Sequence, residues 1–405
     1  MHNSHVTTTS LKLLIIAGAR PNFMKVAPLI KAAEAHNRAR GQGGPILDCR
    51  LIHTGQHYDE KMSEVFFEEL GIPAPEINLG VGSGSHAIQT ANIMTKFEPV
   101  CLEQKPDWVV VVGDVNSTLG CTLVCSKLGI KVAHVEAGLR SFDRTMPEEV
   151  NRIVTDALAD LLLTPSRDAD ENLHKEGVDA SRIELVGNVM IDAVVANLQK
   201  ARASRILTKV GVTSKNFVYV TLHRPSNVDD RDSLSSIMEK LKRLSAQIMV
   251  VFPIHPRTRK MCQNFEIDLD DEPGMKIIEP IGYHDSLCLT ENARLVLTDS
   301  GGLQEESTYF RTPCLTLRPN TERPVTITMG SNKLTKVGHL TEDFADALNR
   351  GADTSKIPPL WDGHAADRII AALIAAGGVA RRPVEGRFAV KEETTQELVK
   401  SSLAC

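Results

Sequence analysis

The polar residues of this 405-residue chain best placed to do chemistry fall directly after apolar runs. Gly113-Asp114 follows Val109-Val110-Val111-Val112, Glu136 follows Val132–Val135, His223 follows Phe217–Leu222, and Asp299-Ser300-Gly301-Gly302 follows Leu295–Thr298. In open parallel α/β sheets ligands bind beyond the carboxyl ends of the strands, so such residues converge on a cleft. Asp114, Glu136 and Glu148 would bring three carboxylates to one sheet edge. Neighbouring acids raise one another's proton affinity, which is one way to make a base near neutral pH. Two of them have plainer readings. Asp114 could cap a helix starting near Ser117. Glu148, in Met146-Pro147-Glu148-Glu149, also fits the acidic first turn of a helix with proline at its first position. His223, in Leu222-His223-Arg224-Pro225, could carry a proton or hold a phosphate. Ile254-His255-Pro256 repeats that form one strand later.

Other strand ends suit an anion. Gly18-Ala19-Arg20-Pro21-Asn22 sets Arg20 at the edge of the first strand, with Lys25 in the first turns of the next helix. A close-approach glycine, a cation and a helix N-terminus bind anions well, although a tight turn with a solvated Arg is the simpler reading. Ser300-Gly301-Gly302 opens a helix straight after a strand and reads as a diphosphate cradle. Glu306, about one turn in, could accept hydrogen bonds from ribose hydroxyls, and Arg318 and Arg323 add cations. Three signals carry less. Gly80-Val81-Gly82-Ser83-Gly84 is not GxGxxG and follows no strand, so it reads as a loop. His53 and His57 lack a third ligand, and Cys121 and Cys125 lack His or Cys partners at metal spacing. No metal site is expected, and the two thiols read as core.

The elements that must position these residues follow one rhythm: a short β-branched run, a turn, a helical stretch. Leu11–Ala17, Leu51–Thr54, 107–113 and Val132–Val135 read as strands, with helices through about His36, over Glu60–Leu70 and from near Pro147. The rhythm restarts with Phe217–Leu222, Ile248–Phe252, Met275–Ile278, Leu295–Thr298 and Cys314–Leu317. Strands alternating with helices predict parallel sheets covered on both faces. The expected fold class is α/β, with two Rossmann-like doubly wound domains: residues 1–187 and 188–362, a helix at 363–378 and a polar tail at 379–405.

Composition excludes several function classes. The net charge is −5 from 46 basic and 51 acidic side chains, so no diffuse basic field invites nucleic acid. Two Trp and four Tyr leave few stacking platforms for bases. No apolar run approaches a membrane span, and the first ten residues lack the apolar core of a signal peptide, so the expectation is a cytoplasmic protein. Eight cysteines without a CxxC do not suggest a disulfide framework.

Taken in order, GARPNFMKVAPLI, HTGQHYDEKM, GDVNSTLG, HVEAGLRSFDRTMPEEVNR, LVGN, LHRPSN, TDSGGLQEE and TERP resemble the non-hydrolysing UDP-N-acetylglucosamine 2-epimerases, from about Leu13 to Ala376. The resemblance implies a glycosyltransferase-B-like pair of halves with a cleft between them, a last helix that crosses back to the first half, and a homodimer. It implies catalytic positions at Asp114, Glu136, Glu148 and His223, and UDP-binding positions at Arg20, Lys25, Ser300, Gly301, Gly302, Glu306 and Arg323. The partner is then a UDP sugar, and the reaction requires no NAD or other cofactor. Gln56 and His255 fall where some family members hold a second, activating UDP-sugar. Here Asp59 stands in place of an amide and GSGSHAIQT in place of a basic segment. Action on a related sugar, UDP-2,3-diacetamido-glucuronate, is the alternative within the reaction type, and a glycosyltransferase of the same fold is the alternative outside it.

Overall fold

Trp108–Val112 (WVVVV) is buried at every position. A strand achieves that inside a parallel sheet covered on both faces. The computed structural model describes residues 10–40, 44–55, 72–269, 272–349 and 355–377. In these residues the chain forms two all-parallel sheets.

The first sheet holds β1 (Ser10–Ala17), β2 (Ile46–His53), β3 (Ile77–Asn78), β4 (Trp108–Val112), β5 (Lys131–Val135), β6 (Leu161–Thr164) and β7 (Ile183–Leu185), in the order β3-β2-β1-β4-β5-β6-β7. The second holds β8 (Phe217–Thr221), β9 (Met249–Pro253), β10 (Met275–Ile278), β11 (Leu295–Thr298), β12 (Cys314–Leu317) and β13 (Asn332–Thr335), in the order β10-β9-β8-β11-β12-β13. Strand order reverses between β1 and β4, and again between β8 and β11. Such reversals open crevices at the carboxyl ends of the strands.

All nine strands read from the sequence are present, with shifted ends. β2 begins at Ile46 rather than Leu51, because it pairs with β1 residue for residue from Ser10↔Ile46 to Ala17↔His53. β8 stops at Thr221, one residue before Leu222. β3, β6, β7 and β13 escaped the sequence reading. Each is two to four residues long, and β7 and β13 carry polar residues within them. The helix expected over Glu60–Leu70 and the tail lie outside the described residues.

One layer of the first sheet's core is shared by distant parts of the chain. Phe23, Met24 and Leu29 of the helix Arg20–Ala39 pack with Val189, Met190 and Ala193 of the helix Val189–Arg202, and with Ile369, Ile370 and Leu373 of the helix Ala365–Ala376. This last helix returns from the second sheet and is stitched in place. Asp192 accepts from the backbone N–H groups of Ala365 (3.2 Å) and Ala366 (2.7 Å) at its N-terminus. The indole N–H of Trp108 donates to the Gly377 carbonyl at its end (3.1 Å). Burial pushes the Asp192 carboxyl up to about 6, despite those two backbone donors. A groove of about 570 Å³ lined by Ala32, His36, Ala39, Ile370 and Ile374 opens between two of these helices, beside the amino ends of the strands and away from the crevice.

Candidate active site

The β1 turn brings Gly18 against the helix Asn116–Leu128. A Cβ on Gly18 would lie 2.3 Å from Ser117 Oγ, so only glycine fits. Asn22 then ties two turns together. Its side-chain oxygen accepts from the backbone N–H groups of Gly18 (3.2 Å) and Ala19 (3.0 Å), and its amide donates to the Val112 carbonyl (2.9 Å). Lys25, one turn further along, ends 2.5 Å from Glu136 Oε2. Both are nearly inaccessible, and Glu136 takes a left-handed backbone conformation at φ +71°. That geometry is costly for a residue with a side chain and is maintained by its surroundings. The second carboxyl oxygen of Glu136, Oε1, is buried without a hydrogen-bond partner.

Asp114 does not cap the following helix. The N-cap is Val115, and Asp114 instead lies 2.5 Å from Arg152 Nη1. Arg152 and Glu149 both come from the helix Pro147–Leu158 and are buried, whereas Glu148 is exposed. One helical step turns a side chain by about 100°, which separates Glu148 from Glu149. Glu149 accepts from the backbone N–H groups of Ser141 and Phe142 (both 2.9 Å) and from the Ser141 hydroxyl (3.0 Å), and it pairs with Arg152 (3.0 Å). The sequence expectation of three mutually repelling acids is therefore corrected. Asp114 and Glu136 each meet a cation, and Glu148 is exposed in the first turn of the same helix, one turn before Arg152.

On the facing wall, His223 Nδ1 lies 2.8 Å from Asp299 Oδ1, and the His223 ring remains partly open to solvent. Burial alone would raise the Asp299 carboxyl, but the His223 ring and the backbone N–H groups of His223 and Arg224 outweigh it and hold it below the usual range. His255 caps the helix Pro256–Asn264 through Nδ1, and its ring centre lies 5.6 Å from that of His223. Partial burial, then His223, depress the His255 ring.

Ser300 is the N-cap of the helix Gly301–Phe310 and makes no side-chain capping bond, so its half-exposed first turn presents backbone N–H groups to the crevice. Arg323 flanks that turn: a Cβ on Gly301 would sit 3.1 Å from Arg323 Nη1. Arg323 is itself buried among acids, with Nε 2.7 Å from Glu305 and Nη1 2.6 Å from Glu322. Glu322 also takes Arg318 Nη2 at 2.9 Å. Burial would raise Glu322, yet Arg323 and Arg318 outweigh it and keep its carboxyl far below the usual range, with a smaller contribution from Arg152 across the crevice. Glu305 accepts from the Asn188 amide (2.8 Å). Burial raises the Glu305 carboxyl, with Glu136 across the crevice adding to the rise. Burial, then Glu305, push Glu306 up to about 8, so it is mainly protonated at neutral pH.

The structure thus brings Lys25, Glu136, Asp114, Arg323 and the Ser300–Gly302 turn to one crevice, with His223 on its second wall. Gln56 and the Arg20 side chain lie outside the described residues. Arg152, Glu149, Glu305, Asn188 and Asn22 were not singled out from sequence. The MPEEVNR and SGGLQEE segments contained three of them, but helix-surface and buried acids look alike in one dimension. Among the described residues no group of three or more His, Cys, Asp or Glu side chains could hold a metal ion. Burial pushes the Cys121 and Cys125 thiols up, as expected of core cysteines. No helix among the described residues is long and apolar enough to cross a membrane.

A family model described as UDP-N-acetylglucosamine 2-epimerase matches residues 40–374. The chain belongs to the UDP-N-acetylglucosamine 2-epimerase family. It is 43% identical over 374 residues to a UDP-N-acetylglucosamine 2-epimerase of Methanocaldococcus jannaschii, covering 90% of this chain and 99% of that protein. It is 42% identical over 364 residues to a UDP-2,3-diacetamido-2,3-dideoxy-D-glucuronate 2-epimerase of Pseudomonas aeruginosa, covering 86% and 98%. The crystal structure of the M. jannaschii enzyme in complex with UDP-GlcNAc and UDP superposes with a TM-score of 0.80 at 42% identity, covering 90% of this chain and all of that one. The two-sheet arrangement is accordingly the glycosyltransferase-B-like fold of that family.

Proposed function

We propose that this epimerase-family chain interconverts UDP-N-acetylglucosamine and UDP-N-acetylmannosamine by inversion at carbon 2. The observation that carries the reading is the pairing, in one crevice, of an anion-binding helix end at Ser300–Gly302 with the buried carboxylate Glu136. Carbon 2 has no adjacent carbonyl, so its proton is not acidic in the ground state. As the C1–O bond breaks, UDP leaves with the electron pair, and positive charge at carbon 1 acidifies the carbon 2 proton. Transfer of that proton to a carboxylate leaves a C1=C2 double bond, a glycal. UDP oxygen then adds back to carbon 1 while a proton returns to the opposite face of carbon 2. Atoms and charge balance without oxidation or reduction.

The departing diphosphate is met by the helix N-terminus, Lys25 and Arg323, charges fixed in place before the bond breaks. Glu136 and Asp114 are the carboxylates positioned for proton transfer, with His223 on the opposite wall. Glu306, protonated at neutral pH, can both donate to and accept from a diol such as a ribose. Lys25 and Glu136 are paired at 2.5 Å, so a diphosphate that takes Lys25 frees the carboxylate. We assign residues up to about 187 to one domain and 188–362 to the other, and a homodimer to the active assembly. Sedimentation at the monomer mass under assay conditions would refute the dimer.

The test is incubation with UDP-GlcNAc in heavy water, followed by NMR. UDP-ManNAc carrying deuterium at carbon 2 is expected. Free ManNAc, or no exchange, would overturn the reading. Exchange only with the 2,3-diacetamido-glucuronate sugar would keep the reaction and move the substrate to the one named for the P. aeruginosa relative.

A further inference from the structure

His134 lies in β5, two residues before Glu136, and is wholly inaccessible. Its ring nitrogens face two oxygens: Nδ1 is 2.6 Å from Asp156 Oδ1, and Nε2 is 2.8 Å from the Gly113 carbonyl oxygen. A carbonyl oxygen and an ionised carboxylate only accept hydrogen bonds. A neutral ring has a single N–H, so it would direct a lone pair at one of these oxygens in a water-free interior, an arrangement that costs free energy. Asp156 cannot relieve this as the donor. Arg140, buried beside it with its guanidinium in contact, favours the ionised form. The other Asp156 oxygen already accepts from Arg140 Nη1 (2.7 Å) and the Gly138 N–H (3.0 Å).

We propose that His134 is a doubly protonated imidazolium and serves as a positioning residue, bracing the turn that carries Asp114 against the turn that carries Glu136. One N–H fixes the Gly113 carbonyl and so orients the next peptide, that of Asp114. The other holds Asp156, which in turn fixes the backbone at Gly138, two residues past Glu136. Gly138 has φ +78°, and a Cβ there would lie 2.4 Å from the Ala169 carbonyl, so this turn has one way to sit. The charges around the ring alternate. Asp156 comes from the helix Pro147–Leu158, Arg140 from the segment after β5, and Glu176 from the end of the helix Arg167–Lys175, pairing with Arg140 at 2.7 Å. Arg182 donates to the Asp156 backbone carbonyl (3.2 Å), and the strands on either side place Val111 and Leu162 in register with His134. His134, Asp156, Arg140 and Glu176 thus form one chain of alternating charge behind the two carboxylates, with Arg182 at its edge.

The consequence for turnover rests on the epimerase reading, whereas the charge state does not. The first test is NMR of the full chain with 15N-labelled histidine, the His134 ring being assigned through the backbone of Ala133 and Val135. At neutral pH, protons on both ring nitrogens are expected. A ring with one proton would overturn the proposal, whatever the substrate is. The second test is Asp156→Asn, which removes the countercharge. Expected are a fall in kcat of about tenfold or more, UDP affinity unchanged within about threefold, and a decline in kcat with rising pH that the parent lacks. An unchanged pH profile, or equal losses in kcat and UDP affinity, would overturn the positioning role. If that variant does not fold, His134→Gln, which keeps one donor, is measured the same way with the same expected split.

Discussion

Two helices begin beside the central crossover of their sheets, and their N-termini have opposite fates. Asn116–Leu128 starts after β4 with Asn116, Ser117 and Thr118 all buried, and the Gly18 backbone packs directly on Ser117. Gly301–Phe310 starts after β11 with Gly301 and Gly302 half exposed, and a Cβ on Gly302 would meet nothing closer than Met190 Cε at 3.9 Å. Five residues past the first helical position, the first helix has Cys121 and the second has Glu306. The first helix end is closed by packing, beside Asp114 and Glu136, the carboxylates proposed for proton transfer. The second is left open and holds a buried carboxyl in reserve. On the proposed function, glycine placement specialises a repeated βα unit, one copy toward catalysis and the other toward holding an anion.

Substitutions can break this division, and the largest expected effect is on the catalytic side. Glu136→Gln should lower kcat by about a thousandfold while UDP affinity, by calorimetry, changes by no more than about threefold. A matching loss of UDP affinity would show that Glu136 itself helps to hold the nucleotide. Next comes Glu306, whose carboxyl sits at about 8 against an ordinary 4.5. Its protonated form contributes stability that is fully present below pH 4.5 and lost as pH rises through 8. Between pH 5 and 8, in denaturant titrations without ligand, the parent should lose roughly 3 kcal/mol more than Glu306→Gln. Parallel curves would remove the reserve carboxyl from the comparison. Gly18→Ala should destabilise by about 2 kcal/mol, because Ser117 must move to admit a methyl group. Gly301→Ala should leave the melting temperature nearly unchanged but weaken UDP about tenfold, some 1.4 kcal/mol, by crowding Arg323 and the open helix end. If Gly18→Ala weakens UDP more than Gly301→Ala does, the two helix ends have been assigned the wrong way round.

How far the sequence disclosed this molecule depended on dimensionality. WVVVV and LVLT declare buried parallel strands because burial on both faces favours unbroken apolar, β-branched runs. Asn332–Thr335 (NKLT) does not, since its buried Asn332 and Thr335 are satisfied by Thr316, Gln304, Thr326 and Asp343, partners that the local sequence does not reveal. Site residues that follow strands were legible because a chain leaving a sheet edge has few places to point. Arg152 and Glu149 were not, because their burial depends on what the helix Pro147–Leu158 packs against. The expected repulsion among Asp114, Glu136 and Glu148 failed for the same reason: Lys25 and Arg152, which neutralise two of them, are 111 and 38 residues away.

The return of Ala365–Ala376 into the first sheet's core has a consequence for synthesis. Trp108 waits for a hydrogen-bond partner 269 residues downstream, and Leu29 and Phe23 for packing partners still further along the chain. Chains emerge from the ribosome amino end first, and segments fold as units when their contacts are complete. Here the six-stranded unit can be finished while the seven-stranded one, made earlier, still exposes an apolar face. A chain stalled before residue 365 would therefore carry a complete six-stranded unit beside a seven-stranded one with an uncovered apolar face, a state suited to chaperone capture.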